Sequence, residues 1–375
     1  MEPGVEPGDK VPERGSGRVP GSGSGRVPDP TGPGCGALAL PASLRPIPDT
    51  SPPIPHDPAM RRRRPSLLRP LLASAVAWGL VASAPAGAQE RLNRTIETLE
   101  AGHPTFGLAT GTFSLTNARA LATSELDFVI IDMEHSPFDV ETLRTFLLGM
   151  VDVGRAVEKG SPQMDVTPIV RIPMNGRENL QFLVKQALDV GAYGVMFPFI
   201  GTREQALNAV ASMRYPQPRG DARPEPRGLR GSSPGNARWV WGVRDYTARA
   251  DVWPLDPRGE LLAVLQIETP EGVQNIEEIA SVPGVGAIFI GPADLSLNYG
   301  VPGDHPDMVA AIQRVLEACQ ANDVPCGLTT GAGSVEDRLA QGFDFVTISW
   351  GGDAGISGSA AAALEIAREA SGRDG

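Results

Sequence analysis

Residues 261–296 read LLAVLQIETPEGVQNIEEIASVPGVGAIFIGPADLS. Two apolar runs, Leu261–Thr269 and Val285–Leu295, are expected as buried strands. Each carries an acid near its end, Glu268 and Asp294, 26 residues apart. Between them Thr269 suits a helix cap. Pro270 suits the first helical position, where a missing N–H leaves no bond unmade. Strands apolar on both faces, separated by a helix, are the unit of a parallel sheet covered by helices. A gap of this length is one such unit. Glu268 and Asp294 should therefore stand at the same end of neighbouring strands.

The same rhythm extends outward. Six further apolar or β-branched runs occupy Phe106–Phe113, Phe128–Glu134, Thr167–Pro173, Ala192–Ile200, Pro325–Thr330 and Phe343–Trp350. Helix-period segments such as RENLQFLVKQALDV and DMVAAIQRVLEACQ lie between them. Eight strands alternating with helices over roughly 260 residues predict a single α/β domain, a (β/α)8 TIM-type barrel, over residues 89–375. An open doubly wound sheet is the competing arrangement. No G-x-G-x-x-G follows the first strand, which disfavours its dinucleotide-binding version.

The chain has 375 residues and a net charge of −11. The charge is uneven: residues 1–88 hold ten Lys+Arg against seven Asp+Glu, and the rest carries net −14. An acidic body argues against a nucleic-acid partner, which requires a basic face. Residues 1–59 are rich in Pro, Gly and Ser and are expected to be disordered. Residues 60–88 run from a methionine through four arginines and an apolar stretch to Ala86-Gly87-Ala88, the layout of a cleavable signal peptide. Met60 is then the expected start and residues 1–59 would not be translated; if the signal is used the body would be exported, to the periplasm, without a stable membrane anchor, and otherwise it would be cytoplasmic. Cys319 and Cys326 could pair in an oxidising compartment or remain buried thiols. The connection 214–260 is long and holds Trp239, Trp241 and Trp253, which argue against full disorder.

In a barrel, reactive groups gather at the carboxyl ends of strands. The predicted strand ends supply Asp132, Glu134 and His135, then Arg171, then Gln266 and Glu268, then Asp294. Two close carboxylates repel in a dry site, and a hard divalent cation such as Mg²⁺ or Mn²⁺ would relieve that. Asp132 and His135 suggest a base held by an acid. Arg171 is a permanently charged fork suited to a carbonyl oxygen or a carboxylate. The chain has three lysines, Lys10, Lys159 and Lys185, none on a predicted strand. Schiff-base chemistry, which needs a positioned lysine, is thereby disfavoured.

The stretches DFVIIDMEHSPFD, PIVRIP, LDVGAYGVMFPFI, RGLRGS, LLAVLQIETPEGVQNIEEIASVPGVGAIFIGPADLS and PCGL together resemble the class II pyruvate aldolases of the 4-hydroxy-2-oxoheptanedioate aldolase/citrate lyase family. The resemblance covers roughly residues 100–365 and implies a barrel of the phosphoenolpyruvate/pyruvate-domain type. It implies metal-dependent aldol cleavage of 4-hydroxy-2-oxo acids to pyruvate, or a related 2-oxo acid, plus an aldehyde. Glu268 and Asp294 would hold Mg²⁺, Mn²⁺ or Co²⁺. Arg171 would stabilise the enolate oxygen. His135, oriented by Asp132, would act as base through a water. Gln266 and the backbone of Pro292 and Ala293 would contact pyruvate. Asp189 resembles an acid that reaches a neighbouring subunit's site. A homo-oligomer is implied, a hexamer or trimer of dimers exchanging a C-terminal helix near Ala360–Ala370. Segments 151–166 and 214–260 look expanded and are expected to flank the mouth. Two competing readings are a lyase of acyl-CoA esters and an exported, non-catalytic 2-oxo-acid-binding protein.

Overall fold

A computed structural model describes residues 90–174, 181–223, 225–350 and 355–373. The expected leader 1–59 and signal peptide 60–88 lie outside the described residues. Eight strands form the barrel: β1 Thr105–Thr110, β2 Phe128–Asp132, β3 Thr167–Arg171, β4 Gly194–Phe197, β5 Leu261–Ile267, β6 Ala287–Ile290, β7 Cys326–Leu328 and β8 Phe345–Trp350. All neighbouring pairs are parallel, in the order β7-β6-β5-β4-β3-β2-β1-β8. The β7–β8 seam is drawn together by a parallel bridge between Thr329 and Thr347 and by Thr330 N–H donating to the Thr347 carbonyl at 2.8 Å. Val252–Trp253 adds a two-residue pairing beside the start of β5.

Side chains alternate across these strands, so each strand feeds two cores. Phe128, Ile169, Leu262, Val264, Ala287 and Phe345 fill the barrel interior. Phe128 and Phe345 stack there with ring centroids 4.3 Å apart. Gly107 makes that stack possible, because a Cβ at this position would lie 2.3 Å from the Phe128 ring. The residues of opposite parity pack outward on the helices.

Two expectations need correction. The run Val285–Leu295 is two elements: β6 stops at Ile290, Gly291 turns the chain, and Pro292 opens the helix Pro292–Tyr299. Proline fits a first helical turn and cannot donate to a strand ladder, so Asp294 belongs to a helix and not to a strand end. The segments 151–166 and 214–260 do not flank the mouth. Each joins the end of a helix to the start of a strand, β3 and β5 respectively, and such connections lie at the amino end of a barrel.

The 214–260 connection is packed. It contains helices Gly235–Trp241 and Tyr246–Arg249. Trp241 is fully buried, stacks on Tyr193 with centroids 4.2 Å apart, and donates its indole N–H to the Gly191 carbonyl at 3.0 Å. Arg214, also fully buried, forks onto Asp251 at 2.6 and 2.9 Å. Trp241→Ala is expected to lower unfolding free energy by roughly 3–5 kcal/mol, the usual cost of emptying a large aromatic site. Urea denaturation checks this, and a loss under about 1 kcal/mol would show that the segment contributes little.

The helix Gly358–Ala370 packs on its own barrel through Ala360, Ala363, Leu364 and Ala367. Just beyond it, Arg373 forks onto the buried Asp127 at 2.6 and 2.7 Å. Cys319 and Cys326 are free, buried thiols. Asp344 accepts the Cys326 N–H at 2.7 Å, and burial pushes its carboxyl up to about 6. The folded chain therefore holds this proton more tightly than the unfolded chain, whose value is near 3.8. Stability should fall as pH rises through that window and level off above it, by at most about 3 kcal/mol from this group. Asp344→Asn should remove that slope. Urea titrations at several pH values check it; equal slopes in both proteins would rule it out.

Candidate active site

Asp132 ends β2 and Arg171 ends β3, paired in register. Both are buried, and Arg171 Nε donates to Asp132 Oδ1 at 2.8 Å. Glu134, two residues past Asp132, places Oε2 at 3.2 Å from Arg171 Nη1. The guanidinium is thus braced by two carboxylates and cannot swing. Asp132 Oδ1 also accepts the backbone N–H of Glu134 at 3.1 Å and of His135 at 3.5 Å. The expected Asp132–His135 side-chain pair is not formed. Asp132 fixes the backbone beneath the histidine, and the carboxylate near the imidazole is that of Glu134, 3.8 Å from Nε2. The reason is strand geometry: Asp132 is committed to its register partner across the sheet. The His135 side chain is 63% exposed, at the mouth.

Gln266 and Glu268 are two residues apart at the end of β5 and point to the same side. Both are buried. Gln266 Nε2 donates to Glu268 Oε1 at 2.7 Å, and Phe199 N–H donates to Oε2 at 3.1 Å. Phe199 reaches this position with φ of 56°, a left-handed conformation that is costly away from glycine and that aims its N–H at the carboxylate. Gly291 leaves the space Glu268 needs: a Cβ there would stand 2.3 Å from Oε1. Asn298 Nδ2 donates to the Glu268 carbonyl at 3.0 Å and the Asp294 carbonyl at 2.9 Å, locking the helix Pro292–Tyr299 to the end of β5.

These groups surround a cavity of about 340 Å³. Ala109, Ile130, Met196 and Phe289 give it apolar walls. Arg171, Gln266, Glu268, Asp294 and His135 gather at its polar side, with Pro292 and Ala293 alongside. Burial pushes the Glu268 carboxyl up to about 8; the Phe199 N–H pulls it down, while Glu134 and Asp294 raise it further. Burial also raises Glu134, against the pull of Arg171 and His135. Three acids therefore share this end of the cavity, and the desolvated Glu268 carries the largest burden. A carboxyl held this far from its usual range marks a site built for a charged partner.

Seven of the expected residues, Arg171, Gln266, Glu268, Pro292, Ala293, Asp294 and His135, line one cavity. Asp132 stands behind it. Asp189 does not reach it within this chain. It ends the helix Gln181–Asp189, at the amino end of the barrel, and accepts Arg230 Nη2 at 2.8 Å. Arg230 Nη2 also donates to the Tyr246 hydroxyl at 2.8 Å. Helices run antiparallel to the strands, so a helix's last residue stands opposite the strand ends. Sequence reading gave no role to Glu134, Gly291, Phe199 or the cavity residues Thr329 and Thr347. Glu134 was visible inside the DMEH stretch; the others carried no recognisable pattern.

The sequence pattern of the family HpcH/HpaI aldolase/citrate lyase matches residues 109–357. The chain is 33% identical over 248 residues to a 5-keto-4-deoxy-D-glucarate aldolase of Shigella dysenteriae, covering 65% of this chain and 84% of that one. It is 37% identical over 247 residues to a hydroxypyruvate/pyruvate aldolase of Chromohalobacter salexigens, covering 64% and 84%. Among solved structures, a HpcH/HpaI aldolase/citrate lyase family protein of Burkholderia cenocepacia superposes with a TM-score of 0.58 at 32% identity, covering 69% of this chain and 93% of that one. Macrophomate synthase superposes with a TM-score of 0.53 at 25% identity, covering 69% and 83%. With a matching barrel, a matching sequence pattern over most of the folded body, and acids and an arginine converging on one cavity, the chain belongs to the HpcH/HpaI aldolase/citrate lyase family.

Proposed function

We propose that this protein is a carbon–carbon lyase that cleaves a 4-hydroxy-2-oxo acid to pyruvate, or a related 2-oxo acid, plus an aldehyde, and runs the reverse condensation. The observation that carries this reading is the pair of acids Glu268 and Asp294 sharing a small, largely apolar cavity with the braced cation Arg171. Aldolase relatives such as those of Shigella and Chromohalobacter support it.

The donor set suits a hard divalent cation, Mg²⁺, Mn²⁺ or Co²⁺. Glu268 and Asp294 offer anionic oxygens, and the buried Gln266 Oε1 beside them has no hydrogen-bond partner among the described residues. Among the described residues no group of three or more His, Cys, Asp and Glu is arranged around one point. An ion of this kind can be held by one or two carboxylates and completed by water and substrate oxygens. When bound, such an ion supplies Lewis-acid stabilisation of negative charge developing on the 2-oxo oxygen.

The chain's own residues do the rest. The first-turn N–H groups of Ala293 and Asp294 have no helical partner and receive the substrate carboxylate. Arg171, fixed in direction by Asp132 and Glu134, donates to the 2-oxo oxygen as its charge grows. His135, at the mouth beside Glu134, takes the proton of the C4 hydroxyl. The C4–O electrons form the aldehyde carbonyl, the C3–C4 bond breaks, and its electron pair moves toward the 2-oxo oxygen. Protonation at C3 releases the 2-oxo acid. The apolar walls keep water from quenching that carbanion-like carbon early.

The test is pyruvate release from a panel of 4-hydroxy-2-oxo acids, with chelator and then with Mg²⁺, Mn²⁺ or Co²⁺ restored. Ion-dependent release is expected. Saturable binding without product under every ion would overturn the reading in favour of a binding protein. We also propose export directed by residues 60–88; sequencing the mature amino terminus tests it, and a chain beginning near Met1 would exclude it. A homo-oligomer is proposed on the family resemblance, with sedimentation as its measurement.

A further inference from the structure

The cavity wall facing Arg171 is not apolar throughout. In the strand order, β7 stands four strands from β3, across the barrel. There Thr329, just past β7, and Thr347, on β8, both line the cavity with their hydroxyl oxygens 2.9 Å apart. Two hydroxyls carry two protons, and only one lies in the bond between them. The second has no acceptor among the described residues. Ala109, Ile130 and Phe289, which line the same cavity, have side chains that offer no hydrogen bond.

A hydroxyl proton left unused in such surroundings is unfavourable unless something that enters the cavity accepts it. Under the aldol reading on which this inference rests, the substrate's carboxylate and 2-oxo oxygen are already met by Ala293 and Asp294, which follow β6, by Glu268 after β5, and by Arg171 across the barrel. What remains of a substrate is its carbon chain and whatever hydroxyls it bears.

We propose that Thr329 and Thr347 form a hydroxyl-recognising subsite that selects substrates carrying a hydroxyl next to a carbonyl over their unsubstituted counterparts. One proton is donated to the substrate oxygen, and the threonine lone pairs accept the substrate's own O–H. The hydroxyl can come from either reacting fragment: the 2-oxo acid, bearing it at C3, or the aldehyde, bearing it at C2. A site that pairs with a hydroxyl discriminates against the analogue lacking it, because its own polar groups are then stranded.

The experiment measures condensation kcat/KM in two arms. One compares hydroxypyruvate with pyruvate at a fixed aldehyde, and the other glycolaldehyde with acetaldehyde at a fixed 2-oxo acid. Thr329→Val and Thr347→Val keep the side-chain shape and remove the hydroxyl; Thr329→Ser and Thr347→Ser keep the hydroxyl. In the wild type the hydroxylated partner is expected to be preferred in at least one arm. Each valine variant should reduce that preference by about tenfold, the size of one net hydrogen bond, and each serine variant should preserve it. A pair that only closes the β7–β8 seam would instead lower stability, or slow all substrates alike, and leave both ratios unchanged. Unchanged ratios in active valine variants overturn the proposal, as does a wild type without preference in either arm. If the valine variants do not fold, serine variants that lose the wild-type preference overturn it too. A wild type that condenses none of the four combinations, with any of the three ions, overturns the aldol reading itself.

Discussion

Glu268→Gln should lower kcat/KM by roughly three orders of magnitude while leaving the protein folded. Glutamine has the shape of glutamate and can still accept the Phe199 N–H that meets Oε2 at 3.1 Å. What it lacks is the capacity to ionise: glutamate can give up its proton and present an anionic oxygen to a cation, and the amide cannot. Affinity for Mn²⁺, followed by calorimetry, should fall in parallel, and excess ion should not restore turnover. Thermal stability should be unchanged or higher, because a buried carboxyl pushed up to about 8 is a strained tenant and its amide is not. Activity within about tenfold of wild type, with the same dependence on the ion, would remove Glu268 from the centre of the site.

Gly291→Ala is the second large effect. The added methyl would lie 2.3 Å from Glu268 Oε1 and 2.9 Å from Gln266 Nε2, so the carboxylate or the turn must move. A shift on the order of 1 Å at a reacting centre costs on the order of a hundredfold in rate. Overpacking itself should cost about 1–3 kcal/mol of stability. The two effects separate cleanly: kcat/KM falls about a hundredfold at a temperature where circular dichroism shows the chain fully folded. A variant with wild-type kcat/KM would mean that Glu268 has slack the packing does not suggest.

The barrel was legible because its strands are apolar on both faces and its helices carry their own period, so eight repeats of one pattern left few alternatives. Glu268 and Arg171 were legible because strand ends are where a barrel places its chemistry, and Asp294 because it stands in the first turn of the helix just past one. Asp294 was assigned to the wrong element, since FIGPADL continues an apolar run and only the Gly-Pro pair marks the change from strand to helix. The ends of the barrel were confused for the expanded segments, although the order helix, connection, strand already assigns them to the amino end. Glu134 stands beside His135, whose residue type reads more plainly as a base. Thr329 and Thr347 were invisible: a threonine in a strand reads as β-propensity, and only closure of the seam brings the two together.

Among the described residues, segments 151–166 and 214–260 stand at the amino end, the latter around Trp241 and the buried arginines, whereas at the carboxyl end Ile267 to Pro270 and Ile290 to Pro292 are crossed in a few residues. No described residue of 151–166 or 214–260 lines the cavity, so the packing around Trp241 and the reacting groups are set by different parts of the chain.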